Sequence, residues 1–143
     1  MTTALSPRLA ALRDALTAVE FRTPLASAFL PVVLRNVANL REHWATKAKR
    51  AKAHRSSAYM ALRPLLWDLN GAPPPVAVVL LTRVYASRGR RMDDDGAARA
   101  CKAIRDGVAD ALGIDDGSER VTWLVDQAKG DVPGVRIEVY ARD

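Results

Sequence analysis

The fold is decided by residues 76–85, which read VAVVLLTRVY and form an almost unbroken run of apolar, largely β-branched side chains. Such a run is typical of a strand that is buried on both faces of a sheet. It leads through the arginine-rich residues 87–91 into the acidic block Asp93-Asp94-Asp95. We therefore predict a central strand whose exposed end presents carboxylates with arginines beside them.

The acidic block has the composition of a site for a divalent cation. In extended chain, Asp93 and Asp95 project to the same side and Asp94 projects to the other. Two hard oxygen ligands suit Mg²⁺ or Mn²⁺, which take further oxygens from water and from a phosphate substrate. A third carboxylate, from Asp115 or Asp116, would complete a site for one or two ions.

The same residues also have a purely structural interpretation. Asp95 would then be the N-cap of the following helix, and Asp93 and Asp94 would be favourable neighbours of its dipole. Residues 115–118 would form only a turn. The residues by themselves leave both interpretations open.

The segment after the block has the periodicity of an amphipathic helix that stops at Gly113. Its apolar stripe consists of Ala97, Cys101, Ile104, Val108 and Leu112. A separate charged stripe consists of Asp95, Arg99, Lys102 and Asp106. Because it lies well away from the apolar face, we expect this second stripe to face solvent or a groove. Lys102 would there either neutralise a phosphate in the transition state or simply pair with Asp106.

A longer basic helix is predicted over residues 40–62, ending near Pro64. We expect its core side to carry Leu40, Trp44, Ala48, Ala51, Ala58 and Leu62. Its other faces carry cations that are opposed only by Glu42: Arg41, Lys47, Lys49, Arg50, Lys52 and Arg55. A charged helix face is usually just solvated, but this imbalance favours contact with phosphate groups.

Three more strands complete the predicted sheet. Residues 28–34 form one despite Pro31, which indicates an edge position or an irregularity. Residues 121–127 and 135–141 form the other two, and in the last strand apolar and polar residues alternate, so that one face is buried and the other is wet. The predicted fold is α+β, a small mixed sheet of about four strands with helices packed against it.

Length and charge indicate one domain with a polyanionic partner. The 143 residues, 49% of them hydrophobic, suffice for a single core. We predict an N-terminal helical extension over residues 1–24 and one domain over residues 25–143. The net charge of +6 favours partners rich in phosphate. The single cysteine, Cys101, fits a small buried hydrophobe in a reducing compartment, and no apolar run is long enough for a membrane span, so we expect a cytoplasmic protein.

The acidic block and its surroundings resemble the RusA-type Holliday junction resolvases, phage-associated endonucleases that cut branched DNA. The resemblance covers roughly residues 28–141 and is carried by Asp93-Asp94-Asp95, Lys102, Asp106-Gly107, Leu112-Gly113-Ile114-Asp115-Asp116 and the upstream run Asn39-Leu40-Arg41-Glu42-His43-Trp44. It implies a RusA-like fold and a homodimer that uses Mg²⁺ or Mn²⁺. It also implies that Asp93, Asp95 and Asp116 are the metal ligands and that Lys102 is the catalytic lysine.

Two positions depart from the family pattern. Gly96 stands where the family places an asparagine after the second metal aspartate, so a side-chain hydrogen bond is missing. The prototype spacing puts the lysine one turn after that aspartate, where this chain has Arg99. Lys102 matches the pattern after a three-residue insertion, because its spacing to Asp106 is kept. Arg99 remains the alternative catalytic cation, although arginine cannot donate a proton as lysine can.

We therefore expect a metal-dependent, structure-selective DNA endonuclease that hydrolyses phosphodiesters in branched DNA. The expected DNA-binding residues are Arg41, Lys47, Lys49, Arg50, Lys52, Arg55, Arg88, Arg90 and Arg91. The alternative is a catalytically impaired or non-catalytic DNA-binding protein that keeps the basic helix. The sequence has no Walker loop, zincin histidine pair, Cys-x-x-Cys or nucleophile elbow to support another enzyme class.

Overall fold

A computed structural model describes residues 24–34, 44–67, 76–86, 88–115, 117 and 121–141. In chain order its elements are β1 (Ala26–Leu30), α1 (Trp44–Trp67), β2 (Val76–Tyr85), α2 (Asp94–Ala100), α3 (Lys102–Leu112), β3 (Thr122–Lys129) and β4 (Gly134–Ala141). The predicted N-terminal extension falls almost wholly on residues 1–23, which lie outside the described residues.

The strands form one mixed sheet in the order β1-β4-β2-β3. β4 is antiparallel to both β1 and β2, while β2 and β3 are parallel. A parallel pair needs a crossover connection, and α2 and α3 supply it. The α+β class, the mixed four-stranded sheet and the edge position of β1 confirm the predictions from sequence. β2 has the predicted bounds and is central, as its apolar run indicated.

The core lies between this sheet and the pair α1 and α3. The helices contribute Ala58, Leu62 and Leu66 from α1 and Ile104, Val108 and Leu112 from α3. The strands contribute Val79, Leu81, Val135, Ile137 and Val139. The predicted apolar stripe of the site helix is buried throughout, and Gly113 ends α3 in the left-handed conformation with φ 69°. Here glycine is required because other residues are strained at positive φ.

The basic helix differs from its prediction at both ends. Trp44 is 75% exposed, and Ala48 and Ala51 are also exposed, so the expected core side is wrong for this half of α1. Only the second half of α1 packs on α3 and the sheet, and periodicity alone does not reveal where a packing partner stops. The helix also continues through Pro64 to Trp67. Pro64 removes a hydrogen bond to the carbonyl of Met60, but both residues are exposed and water can satisfy that carbonyl.

Three smaller differences concern the ends and faces of elements. β1 spans Ala26–Leu30, whereas residues 28–34 were predicted. The strand ends directly before Pro31 because proline cannot donate to the sheet. The site helix is interrupted at Cys101, which separates α2 from α3. Tyr140 lies on the face of β4 that was expected to be wet, yet it is buried, and its hydroxyl donates to Glu138 Oε2 at 2.6 Å.

Candidate functional site

The acidic block forms the start of α2. Asp93 is the N-cap, with φ −66° and ψ 165°, and its Oδ1 accepts a hydrogen bond from the Gly96 N–H at 2.8 Å. Asp94 and Asp95 occupy the first helical turn. The capping residue is therefore Asp93 and not Asp95, and the extended chain ends at Asp93. The expectation that Asp93 and Asp95 project from one side of an extended segment, with Asp94 opposite, is wrong because the helix begins two residues earlier than expected.

The carboxylates of the block remain accessible in this arrangement. Asp93, Asp94 and Asp95 are all exposed, and their negative charge is favourable near the positive end of the α2 dipole. Asp93 uses one oxygen for the cap, and a carboxylate has a second oxygen for a cation. Mg²⁺ needs only one or two protein carboxylates, so these donors fit a hard divalent ion.

The expected third ligand cannot be placed in this geometry. Asp116 lies outside the described residues. Its neighbour Asp115 is exposed, and its Oδ1 accepts a hydrogen bond from the Gly117 N–H at 3.1 Å, as expected of a turn. Among the residues that the structure describes, no group of three or more histidine, cysteine or acidic side chains is placed to hold a metal.

A polar clamp fixes the chain just before the acidic block. The Gln127 side chain accepts from the Met92 N–H at 2.8 Å and donates to the Met92 carbonyl at 2.7 Å. Arg83 Nη1 donates to Gln127 Oε1 at 2.9 Å and to the Arg90 carbonyl at 3.0 Å. Gln127 is only 3% exposed, so the bonds made by its side chain are partly shielded from water, whereas the bond from Arg83 to the Arg90 carbonyl is exposed. The clamp ties β2, β3 and the loop together and so orients Asp93.

Sequence reasoning missed the clamp. Arg83 and Gln127 lie within segments that were interpreted only as strands. The available signal was a charged residue inside the apolar run of β2 and an amide near the end of β3, each of which needs a partner when buried. Their partners could not be identified from sequence, because Gln127 and Met92 are 35 residues apart.

A groove lies between α1 on one side and α2 and α3 on the other, with a volume of about 330 Å³. We name it the α1–α3 groove. Its polar lining consists of Lys47, Arg50, His54, Arg99, Lys102 and Asp106. Its apolar lining consists of Leu34, Ala51, Ala100 and Ala103. The groove therefore brings two of the predicted DNA-binding residues together with both candidate catalytic cations.

The charged residues around the groove have distinct partners. Lys102 Nζ lies 3.5 Å from Asp106 Oδ1, the i,i+4 pair that was the structural interpretation of Lys102. Arg55 binds Asp110 of α3 through two hydrogen bonds, of 2.6 and 2.9 Å, and so joins α1 to α3. The hydrogen bond from Arg55 lowers the pKa of the Asp110 carboxyl. Arg55 thus has a structural role in addition to any binding of DNA.

The other predicted DNA-binding residues are solvent-facing where they are described. Lys49 and Lys52 are exposed on α1 outside the groove, and Arg88, Arg90 and Arg91 are exposed in the loop after β2. Arg41 lies outside the described residues. The exposed residues of the predicted DNA-binding set therefore form two groups, one on α1 and one directly before the acidic block.

His54 and Cys101 are titratable groups whose pKa values are shifted mainly by burial. Burial lowers the pKa of His54, and the nearby charge of Arg50 lowers it further. His54 therefore contributes a neutral ring to the groove at neutral pH. Burial raises the pKa of Cys101 to about 12, so its thiol stays protonated and behaves as the buried hydrophobe that the sequence predicted.

Comparison with known proteins gives one partial relative. A protein of Xylella fastidiosa (strain Temecula1 / ATCC 700964), described only as an uncharacterized protein, is 36% identical over 78 residues, which are 54% of this chain. The match spans about half, 51%, of that relative's length. No protein family matches the chain, and no solved structure matches it. Within the part of the chain that the structure describes, none of the helices has the length and apolar character needed to span a membrane.

Proposed function

We propose that this protein is a metal-dependent endonuclease of the RusA type, acting on branched DNA. The observation that carries the proposal is the α1–α3 groove, in which cations of the basic helix meet Arg99 and Lys102. Both of these cations follow the acidic block within the same α2–α3 segment. A cationic surface suited to phosphate thus lies on the same helical segment as carboxylates that suit a divalent ion, and metal-dependent phosphodiester hydrolysis uses both.

In this proposal Asp93, Asp95 and Asp116 hold Mg²⁺ or Mn²⁺. A bound ion of this kind supplies an activated water and stabilises the leaving oxygen. The clamp of Gln127 and Arg83 keeps the main chain before Asp93 in place, so Asp93 is held by the sheet and not by the loop alone.

Arg99 and Lys102 are the two candidates for offsetting charge on the scissile phosphate. Lys102 pairs with Asp106, which lies one turn further from the acidic block. Arg99 follows Asp95 by four residues and so lies one turn after it on the same helical segment, and long helical side chains lean toward the N-terminus. The kcat values of the Arg99→Ala and Lys102→Ala variants should identify the catalytic cation. Only the loss of that cation should lower kcat strongly at saturating DNA.

The direct test is incubation with a labelled four-way junction and with a linear duplex of equal length, each with and without Mg²⁺ or Mn²⁺. We expect cleavage of the junction only in the presence of metal. Cleavage of both substrates at the same rate would contradict the proposed selectivity for branched DNA. The absence of cleavage with either metal would contradict the proposal that the protein is an enzyme.

The second candidate function is DNA binding without efficient cleavage. Two features favour it: Gly96 replaces the family's asparagine, and one oxygen of Asp93 is occupied by the cap. Junction binding in EDTA combined with no cleavage in either metal would support this function. Cleavage by Gly96→Asn but not by the parent protein would indicate an impaired enzyme.

The cations of α1 should set the salt dependence of DNA binding. Replacing Lys47, Lys49, Arg50 and Lys52 with alanine should weaken binding to every DNA sequence and lower the slope of log K against log salt by about 0.9 for each phosphate that is no longer neutralised. Fluorescence anisotropy at several salt concentrations measures this slope. The control is alanine at the exposed Lys129 and Arg136, which lie on β3 and β4. An unchanged slope in the α1 variant would mean that the helix is merely solvated.

The proposed activity also predicts a homodimer. Two symmetric nicks across a two-fold junction require two active sites related by a two-fold axis. Analytical ultracentrifugation at micromolar concentration should therefore show a dimer, with or without junction DNA. A monomer under both conditions would contradict resolvase activity.

A further inference from the structure

The α1–α3 groove is lined by apolar and by charged residues, which differ in how deeply they are buried. Of its apolar residues, Leu34 and Ala100 are buried and lie deepest, whereas Ala51 is exposed and lies on the wall. Lys47, Arg99 and Lys102 are exposed, so their charges lie at the mouth. Four cations of the lining face a single carboxylate, that of Asp106. The groove is therefore suited to a ligand that has an anionic end and an apolar body.

The size of the groove narrows the class of ligand. About 330 Å³ lies near the lower end of the range for small-molecule sites, roughly 300–1,000 Å³. A double helix is far too wide to enter, while a bare phosphate would leave the apolar lining without a partner. A single nucleotide has both required parts, a phosphate and a flat base that can rest on apolar side chains.

We propose that the α1–α3 groove binds one unpaired nucleotide of a DNA strand, with its phosphate at the cationic mouth and its base against the alanine-lined wall. The base can enter only when it is not paired, because a paired base is held within the stack. This inference rests on the proposed DNA-binding role, but it does not depend on cleavage or on metal. It would give the protein a preference for branch points, ends and gaps, where unpaired nucleotides occur.

His54 fits this role as the aromatic member of the lining. Its ring is partly buried beside the apolar residues and lines the same groove as Arg50 and Asp106. A neutral imidazole has one donor and one acceptor nitrogen and a flat face, so it can contact a base by stacking or by a hydrogen bond.

The test uses fluorescence anisotropy in EDTA, which excludes cleavage. The probes are a blunt duplex, the same duplex with a one-nucleotide overhang, and that duplex with an abasic overhang. We expect the normal overhang to bind about tenfold more tightly than the other two, the size of effect produced by one stacked base. Equal affinity for the normal and abasic overhangs would show a phosphate site only and would overturn the proposal.

A matched pair of variants locates the site. Ala51→Leu fills the alanine-lined wall without changing charge, while Ala53→Leu adds the same group to an exposed position of α1 outside the groove lining. We expect Ala51→Leu to abolish the difference in affinity between the overhang and the blunt duplex, while Ala53→Leu keeps that difference and thermal melting is unchanged in both. Equal behaviour of the two variants would overturn the proposal.

The outcomes also distinguish this inference from the proposed nuclease activity. A protein that prefers overhangs but cuts nothing would contradict the nuclease activity alone. A protein that cuts junctions without any overhang preference would contradict this inference alone.

Discussion

Asp93→Asn, Asp95→Asn and Asp116→Asn should each lower metal-dependent cleavage of branched DNA by roughly two orders of magnitude or more. Each substitution removes a charge and a hard oxygen ligand from the proposed metal site. DNA binding in EDTA should remain close to that of the parent protein, because the cations of α1 are untouched. Single-turnover cleavage and anisotropy, measured on the same preparations, separate the two effects.

The same variants should also remove the rise in melting temperature that bound metal produces. Carboxylates held close together repel each other, so an ion that binds only the native protein should raise its melting temperature. Asparagine caps a helix about as well as aspartate does, so Asp93→Asn should keep the stability of the metal-free protein. Asp93→Ala loses the cap as well and should cost about 1 kcal/mol even without metal.

The control for the acidic variants is Asp131→Asn, an exposed aspartate between β3 and β4. It should change neither cleavage nor the metal-induced rise in melting temperature. Asp94 is not a matched control, because it lies in the first turn of α2 beside Asp95. If millimolar Mg²⁺ or Mn²⁺ did not shift the melting temperature of the parent protein, the acidic block would be a helix cap and not a metal site.

The parts of the fold that were predictable from sequence depend on local pattern. The apolar run of β2, the stripe from Ala97 to Leu112 and the stop at Gly113 are all confirmed. The period of the side chains determines which face of the helix is buried, while the unbroken apolar run of β2 indicates that both of its faces are buried. The same reasoning failed at Trp44, because a helical period indicates a face but does not show whether another element covers it.

The parts of the site that were not predictable depend on residues far apart in the chain. Arg55 and Asp110 are 55 residues apart, and no local pattern pairs them. The α1–α3 groove arises in the same way, since its two walls come from separate helices. The roles of the acidic residues and of Lys102 come from the family resemblance and stay predictions, with Asp116 outside the described residues. What the structure adds is Asp93 as the cap, the clamp that orients it and the α1–α3 groove.

Gly107→Ala should destabilise the protein although alanine is the better helix former. Helix propensity alone would favour alanine in the middle of α3 by about 1 kcal/mol. At Gly107, however, an added Cβ would collide with the main-chain carbonyl oxygen of Arg55 and with Cβ of Ala58, because α1 and α3 are in direct contact there. Both obstacles are on a rigid helix, so α1 must move, and overpacking of this kind typically costs about 1–3 kcal/mol.

Denaturant unfolding shows whether Gly107→Ala lowers or raises the free energy of unfolding. The matched control is Gly117→Ala. An added Cβ at Gly117 meets only Asp115 Oδ1 at 3.8 Å, which is an ordinary van der Waals distance. We expect Gly107→Ala to lower the free energy of unfolding while Gly117→Ala leaves it nearly unchanged. Displacing α1 should also disturb the pair of Arg55 with Asp110 and the α1–α3 groove, so any overhang preference should fall in the same variant. A more stable Gly107→Ala protein would show that α1 and α3 do not pack as closely as this geometry requires.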